Sequence, residues 1–308
     1  MKKPFTNIVP LIVTYNPDEA TLIDSLRALL SQAQTVVIVD NDSRYDIAAI
    51  IRHLDQTFHD RIKLIKQHQN GGLGKAFNTG IAFARDLKAD FVLLMDQDSI
   101  PEPDMLDKLY RAYSDLTNHG IVVGAVAPCY RYPASTQLSQ FVRVSRFGFT
   151  RIAPCRDTAH PIRTDFLISS GSFISIQTLS QVGGMDESLF IDHIDTEWCF
   201  RAQSKGFAMF GVYDAVMQHS LGDKQIRFWC GRWRNIPVHQ PFRYYYMFRN
   251  SLLLWRRDYM PSAWKRADML RIFYVFVFFA LLSPNRKSNF HMMIDGLKDG
   301  FSNRSGKL

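Results

Sequence analysis

Over the first hundred positions, short continuous apolar runs alternate with stretches whose apolar residues recur at helical spacing. Residues 7–14 (NIVPLIVT), 35–39 (TVVIV), 62–65 (IKLI) and 91–95 (FVLLM) each read as a strand, the run of apolar side chains implying burial on both faces. Between them Leu22, Leu26, Leu29 and Leu30 fall on one helical face, as do Ile47, Ile50, Ile51 and Leu54, and a third helix is expected over 75–87. Asn16-Pro17-Asp18-Glu19 predicts the first helix start, with Asn16 capping and Pro17 at the first helical position. Strands that alternate with helices imply a parallel, doubly wound α/β sheet. Further on, the pattern predicts a helix over 103–116, strands over 122–127 and 166–176, a short helix before the Gly183-Gly184 turn, and a helix from Asp195. Residues 207–212 and 216–219 read as terminal strands with His219 at the end of the last. Residues 130–163 lack periodicity and read as a mobile loop or irregular hairpin over the site.

The parallel arrangement gives the polar residues meaning. It gathers Tyr15 and Asn16, Asp40 and Asp42, residues 70–75, and Asp96 and Asp98 at one sheet edge, where open α/β sheets bind ligands. Composition changes the picture little: 308 residues, 46% hydrophobic and 21% charged, describe a folded chain with one large core or two modest ones. Pro4, Asn7 and Pro10 interrupt the N-terminal segment, so no secretory signal is expected and the chain is predicted to be cytoplasmic. Cys129, Cys155, Cys199 and Cys230 are too scattered for a zinc site or a disulfide framework and fit reduced thiols. Charge matters more. Residues 224–308 hold 16 Lys and Arg against 4 Asp and Glu, which gives +12 of a net +8 and leaves −4 upstream. Such asymmetry predicts that the tail faces an anionic surface, membrane or nucleic acid. Its apolar run at 272–282 is 11 residues long, short of the roughly 20 that span a bilayer.

Several patterns carry candidate chemistry. If the strand over 91–95 continues, Asp96 and Asp98 point the same way with Gln97 opposite, a pair suited to a hard divalent cation; the plainer reading is a polar turn. The Gly71–Gly80 stretch fails as a Walker A loop, because Ala76 follows Gly74-Lys75, and it lacks a dinucleotide fingerprint; Lys75 remains a candidate phosphate or base contact. Asp192, His193, Asp195 and Glu197 surround a helix start flanked by Phe190, Ile191, Trp198 and Phe200. A carboxylate among such apolar residues has a raised pKa and suits a general base, although Asp195 as a cap with Glu197 exposed is the plainer alternative. An apolar strand ending in DxD also opens haloacid-dehalogenase-like phosphatases, where the first Asp is the nucleophile. That family places the strand first, whereas three β-α units precede it here and Ile100 replaces the usual Thr or Val. The basic tail leaves a nucleic-acid-binding module as a further alternative, but it shows no recognised nucleic-acid motif, and no nucleic acid partner is expected.

The ordered set VTYN (13–16), VDNDS (39–43), NGGLGKAFNTGI (70–81), MDQDS (95–99), GGMDESLFIDHIDTEWCFRA (183–202) and QHSLG (218–222) closely resembles family 2 glycosyltransferases of the GT-A fold, and over roughly residues 7–260 it is most similar to bacterial rhamnosyltransferases of O-antigen and polysaccharide synthesis. The resemblance implies a Rossmann-like GT-A domain over 1–223, with a nucleotide-sugar half near 1–100 and an acceptor half near 101–223, followed by a helical basic and aromatic extension over 224–308. It implies that Thr14, Tyr15, Asn16 and Asp40 hold the nucleoside, that Asp96 contacts ribose or metal, and that Asp98 and His219 bind Mg or Mn. Asp195 matches the catalytic base; Ile194 stands where the family has Glu, which leaves Asp192 or Glu197 as alternative bases. Lys75 and Arg249 are candidates to neutralise the diphosphate, and Glu197 to bind substrate. The implied reaction is inverting transfer of L-rhamnose from dTDP-L-rhamnose to a saccharide on a polyprenyl diphosphate. The extension would then rest on the anionic cytoplasmic face of the bacterial inner membrane, or pack as a second layer on the catalytic domain.

Overall fold

The computed structural model describes residues 6–131, 137–145, 148–152, 160–219, 224–229, 233–283 and 285–308. The alternating half comprises β1 (Ile8–Thr14), α1 (Glu19–Leu30), β2 (Val36–Asp40), α2 (Ile47–Ile51), α3 (Gln56–His59), β3 (Ile62–Lys66), α4 (Leu73–Asp86) and β4 (Phe91–Asp96). There follow β5 (Ile100–Pro101), α5 (Met105–Asn118), β6 (Val123–Arg131), the hairpin β7 (Phe141–Ser145) and β8 (Gly148–Ile152), β9 (Ile162–Thr164), β10 (Ser172–Ser175), α6 (Ile176–Val182), a 3-10 turn (Glu187–Leu189), α7 (Ile194–Ser204) and β11 (Ala208–Gln218). The basic extension forms a two-stranded ribbon, β12 (Lys224–Trp229) with β13 (Trp233–Val238), and helices α8 (Pro241–Trp255), α9 (Ser262–Leu281) and α10 (Arg286–Phe301).

The central sheet runs β3-β2-β1-β4-β10-β6-β11-β5, with β9 also on β11. The first four strands are parallel, β11 is parallel to β6, and β10 lies antiparallel between β4 and β6. Side chains along β1 alternate between two cores. Leu11 and Val13 face a layer with Phe77 and Ile81 of α4 and Trp198 of α7, while Ile12 faces Leu22, Leu26 and Leu29 of α1 with Leu106 and Leu109 of α5. Each fully buried aliphatic side chain contributes about 1.5–3 kcal/mol. Burial on both faces is why β1, β2 and β4 carry unbroken apolar runs.

Local chemistry moves several expected boundaries. Asp18 caps α1, accepting from the Thr21 amide at 2.9 Å, so Pro17 precedes the cap and Asn16 sits at φ 50° in the turn. The helical stretch expected to reach Leu54 ends at Ile51 as α2, and Asp55 then caps a separate short helix, α3. Only 172–175 of the strand expected over 166–176 is extended: at Gly171 (φ 85°) the chain turns and its amide donates to Leu94 O at 2.7 Å, so Ser169 and Ser170 lie across the end of β4. The two strands expected over 207–219 are one irregular strand, β11, whose register on β6 shifts between Val212 and Val216. The hairpin expected in 130–163 is present as β7 and β8, and its described residues do not line the cleft; residues 132–136, 146–147 and 153–159 lie outside the described residues. Cys129 and Cys199 are buried free thiols, and Cys155 and Cys230 lie outside the described residues.

The extension is packed into the rest of the protein. Leu253, Leu254, Met260 and Trp264 belong to the same core as β1 and β4, while Tyr244, Phe248, Ile272, Phe279 and Met293 form a smaller cluster among α8, α9 and α10.

Candidate active site

A cleft of about 940 Å³ opens over the carboxyl ends of β1, β2 and β4, with α7 and α8 forming its far wall. β4 ends at Asp96, and the Ser99 amide returns to Asp96 O at 3.3 Å, closing a turn. The alternation expected of a continuing strand is therefore lost, and Asp96, Gln97 and Asp98 all line the cleft. Gln97 holds Tyr15 by both backbone groups, accepting from its N–H at 2.7 Å and donating to its carbonyl at 3.3 Å.

Asp96, Asp98 and His219 bring candidate ligand atoms within 4.8 Å of one another. His219, 4% exposed, is oriented from behind: its Nδ1 lies 2.8 Å from Ser99 Oγ and 3.5 Å from Asp98 Oδ1. Ser99 Oγ in turn meets Ser170 Oγ at 2.7 Å, and Ser170 accepts from the Asp96 amide at 3.1 Å. Burial pushes the Asp96 carboxyl up to about 6; His219 opposes this, and the charges of Asp98 and Asp195 add to it. Burial disfavours the charged form of His219, yet the hydrogen bond to Asp98 and the charges of Asp96 and Asp98 outweigh it and hold the imidazole above its usual range. Carboxylates that gain by sharing a cation and an imidazole fixed by an outer hydroxyl match the donor chemistry of a divalent metal site.

The facing wall is the loop that leads into α7. Phe190 (φ 65°, ψ −61°) forms a γ-turn, with the Ile191 amide donating to Leu189 O at 2.8 Å, and Asp192 and His193 both sit at φ 64°. Gly72 (φ 88°) is required where this loop meets the NGGLG segment, because a Cβ there would lie 2.6 Å from Phe190 O. Asp195 lines the cleft one residue into α7, so it is not the cap of that helix; His193 is. Burial raises the Asp195 carboxyl above its usual range; a hydrogen bond from the Thr196 amide opposes this, and the charge of Asp192 adds to it. Asp192 also lines the cleft and is gripped at both oxygens by Arg243 of α8.

Other expected site residues lie elsewhere. Glu197 is fully buried, not exposed: Arg201 grips it at 2.7 and 2.9 Å and Tyr259 donates to it at 2.5 Å, so it does not line the cleft as a substrate contact or base. Arg249 is also fully buried, and its guanidinium is spent on backbone carbonyls and Asn250 rather than facing the cleft. Lys75 is exposed with its side chain over Gly71, outside the cleft lining. Thr14 and Asp40 form a buried brace beneath the floor: the Thr14 hydroxyl donates to Asp40 at 3.1 Å, and Asp40 accepts from the Ser43 amide. Asn16 fastens the same turn, donating its N–H to Ser43 Oγ and accepting from the Arg44 amide. Of that nucleoside set only Tyr15 lines the cleft.

Sequence reasoning missed Asn41, Arg243, Tyr246 and Lys307, and placed Asn70 at the polar edge without giving it a role; all five line the cleft. Asn41 and Asn70 follow strand ends and could have been found from position alone; Asn41 donates to Asn70 Oδ1 at 3.1 Å and accepts from the Gly71 amide at 3.0 Å. Arg243 and Lys307 come from the extension, where composition marks a basic segment but not which residues face inward.

Comparison with known proteins agrees with this geometry. Residues 11–170 match the family model Glycosyl transferase family 2. The chain is 32% identical over 256 residues, 83% of its length and 82% of the relative's, to dTDP-rhamnosyl transferase RfbF of Shigella flexneri. It is 25% identical over 247 residues, 79% of its length and 75% of the relative's, to the low-salt glycan biosynthesis hexosyltransferase Agl10 of Haloferax volcanii. In fold it resembles mannosyltransferase PcManGT of Pyrobaculum calidifontis, solved with GDP-Man and Mn2+ (TM-score 0.57, 14% identity, 98% of this chain and 91% of that one). It also resembles GalNAc-T7, solved with UDP, GalNAc and Mn2+ (TM-score 0.58, 13% identity), covering 96% of this chain but 56% of that one. A mostly parallel α/β sheet with a GT-A-like topology, an acid-lined cleft at its strand ends and these matches together mean that the chain belongs to glycosyltransferase family 2 and is a glycosyltransferase.

Proposed function

We propose that this protein is an inverting, metal-dependent rhamnosyltransferase that moves L-rhamnose from dTDP-L-rhamnose to a hydroxyl of a lipid-linked saccharide in cell-surface polysaccharide synthesis. The observation that carries the chemistry is the juxtaposition of the Asp96, Asp98 and His219 cluster with Asp195 in one cleft. The choice of donor is supported by the relative named as a dTDP-rhamnosyl transferase.

The three side chains fit Mg2+ or Mn2+, the imidazole favouring Mn2+. A cation bound there would supply compensation for the charge that develops on the departing diphosphate. Tyr15, Asn41 and Asn70 line the side of the cleft nearest β1 and β2 and would contact the nucleoside, over the floor braced by Thr14 and Asp40. Lys307 and Arg243 supply positive charge in a cleft otherwise lined by four carboxylates. At Asp195 the acceptor hydroxyl gives up its proton to the carboxylate as its oxygen bonds to the anomeric carbon from the face opposite the diphosphate. The anomeric C–O bond breaks in the same displacement, its electrons leave with the nucleoside diphosphate, and the configuration inverts. A raised pKa makes Asp195 a stronger base than an exposed carboxylate.

The acceptor's lipid anchor is supported by the extension. No helix among the described residues is long and apolar enough to cross a membrane. α9 instead exposes Leu270, Phe273, Tyr274, Val277 and Leu281 as an outward stripe, with exposed Arg266 and Arg286 and Lys287 at its two ends. This pattern suits a helix lying on an anionic cytoplasmic leaflet.

The test is an assay of the purified protein with a panel of nucleotide sugars and a lipid-linked acceptor, with and without chelator. Transfer from dTDP-L-rhamnose, lost on chelation and restored by Mn2+ or Mg2+, is expected. Preference for another nucleotide sugar would transfer the proposal to that donor, and turnover of none would sink it.

A further inference from the structure

Arg249 and Asn250 are adjacent on α8, fully buried, and directed at the cleft wall rather than at its opening. The Asn250 amide nitrogen donates to three carbonyls of one loop, Leu189 O at 3.0 Å, Ile191 O at 2.8 Å and Asp192 O at 3.0 Å. Its oxygen accepts from Arg249 Nε at 3.0 Å and Nη2 at 2.8 Å, which fixes which end of the amide faces the loop. Arg249 Nη2 also donates to Leu189 O at 2.9 Å and more weakly to Ser188 O at 3.4 Å, while Nη1 reaches Gly306 O. The guanidinium stands over the rings of Tyr245 and Tyr246, 5.4 and 4.9 Å from their centroids. Every hydrogen bond it makes goes to a neutral oxygen, an arrangement that costs stability unless the bonds themselves are needed.

The loop they hold is the one with unfavourable backbone geometry. Phe190, Asp192 and His193 are three non-glycine residues at positive φ within four positions, each costing about 1–3 kcal/mol. Such a path turns successive carbonyls away from any regular ladder, and Asn250 collects them. Asp192 lies inside the loop and Asp195 lies in the first turn of the helix that the loop launches.

We propose that Arg249 and Asn250 are a positioning pair that imposes the strained path of residues 189–193 and so sets Asp192 and Asp195 against the substrate. The pair touches no substrate. The inference rests on the reading of Asp195 as the base, and it revises the sequence-based expectation that Arg249 meets the diphosphate.

Asn250→Ser, which keeps one donor, and Arg249→Lys, which keeps the charge but not the fork, test the pair. Misplacing a catalytic group by about 1 Å costs on the order of 100-fold, so a kcat loss of about 10- to 100-fold is expected in both. Affinity for the nucleoside diphosphate with Mn2+, whose candidate ligands lie on the opposite wall, should change by less than about threefold, a split that general destabilisation would not give. Hydrogen exchange of amides 190–196 should quicken at least about tenfold while β1 and β4 amides keep their protection. Folded variants with unchanged exchange over 190–196, or nucleotide affinity falling in step with kcat, would overturn the proposal. Because exchange needs no turnover, it decides the clamp even if the wild-type protein transfers no sugar.

Discussion

Asp192, in the loop before α7, and Asp195, in the first turn of α7, face one cleft with different partners. Arg243 grips Asp192 at both oxygens, whereas Asp195 has the Thr196 amide and hydroxyl and is pushed upward by burial and by the charge of Asp192. A base works only when deprotonated, so activity is lost as pH falls through its pKa, and a raised pKa moves that acidic limb to higher pH. The profile of kcat/KM should therefore fall off above the ordinary carboxylate value. Asp195→Asn should abolish transfer, and Asp192→Asn, by removing a like charge, should shift the limb downward; a limb unmoved by Asp192→Asn would remove that coupling. Asp195 and the metal candidates were legible in the sequence because acids and histidines at strand and helix ends are visible as letters. Glu197, two residues from Asp195, was equally visible, yet its orientation around α7 points it at Arg201 and Tyr259. Letter spacing alone could not distinguish the two, since both lie in the first turn.

α7 is held by that carboxylate. Glu197, itself fully buried, ties the helix to Tyr259 after α8 and, with Arg257 at 3.7 Å and Arg201, closes a half-buried ionic cluster that also reaches Asp186 through Arg257. Removing one partner of a buried pair leaves uncompensated charge and costs about 3–5 kcal/mol. Glu197→Gln should thus lower the unfolding free energy from denaturant titration by an amount in this range while leaving the acidic limb of the pH profile in place; a displaced limb with unchanged stability would instead mark Glu197 as the base. The pattern of apolar runs predicted the parallel strands well, because burial on both faces leaves a continuous signature. It failed at 166–176, where Gly171 turns the chain out of extended geometry, and overran at 52–54, where α2 has already ended, because single caps and turns override periodicity.

At the scale of the whole molecule, the extension divides its apolar side chains between the interior and the surface. The apolar run at 272–282 divides, with Ile272 and Phe279 inside the cluster with Tyr244 and Phe248, and Phe273, Tyr274 and Leu281 at least 60% exposed. Both readings of this run, internal layer and outward face, therefore describe opposite sides of one helix. Replacing Phe273, Tyr274 and Leu281 with Ser should weaken partition onto anionic vesicles by about 100-fold or more, given roughly 25 cal/mol per Å² of apolar surface, without lowering the thermal midpoint. Unchanged sedimentation with vesicles would assign the stripe to something other than a membrane.

The amino-acid sequence by itself determined the alternating α/β layers, the sheet edge that carries the acids, and the identity of Asp96, Asp98, His219 and Asp195 as candidates. The layers and the acid-bearing edge follow from periodicity and residue type, which are local properties, while the resemblance to family 2 glycosyltransferases singled out Asp195 and His219. Only the tertiary structure decided that β10 enters the sheet in reverse, that α8 supplies Arg243 and the Arg249 and Asn250 clamp, and that Glu197 belongs to the core. Each of these depends on which side chains meet across more than fifty residues of chain, or on the direction a helix turns its face, and neither is written in the spacing of a single element.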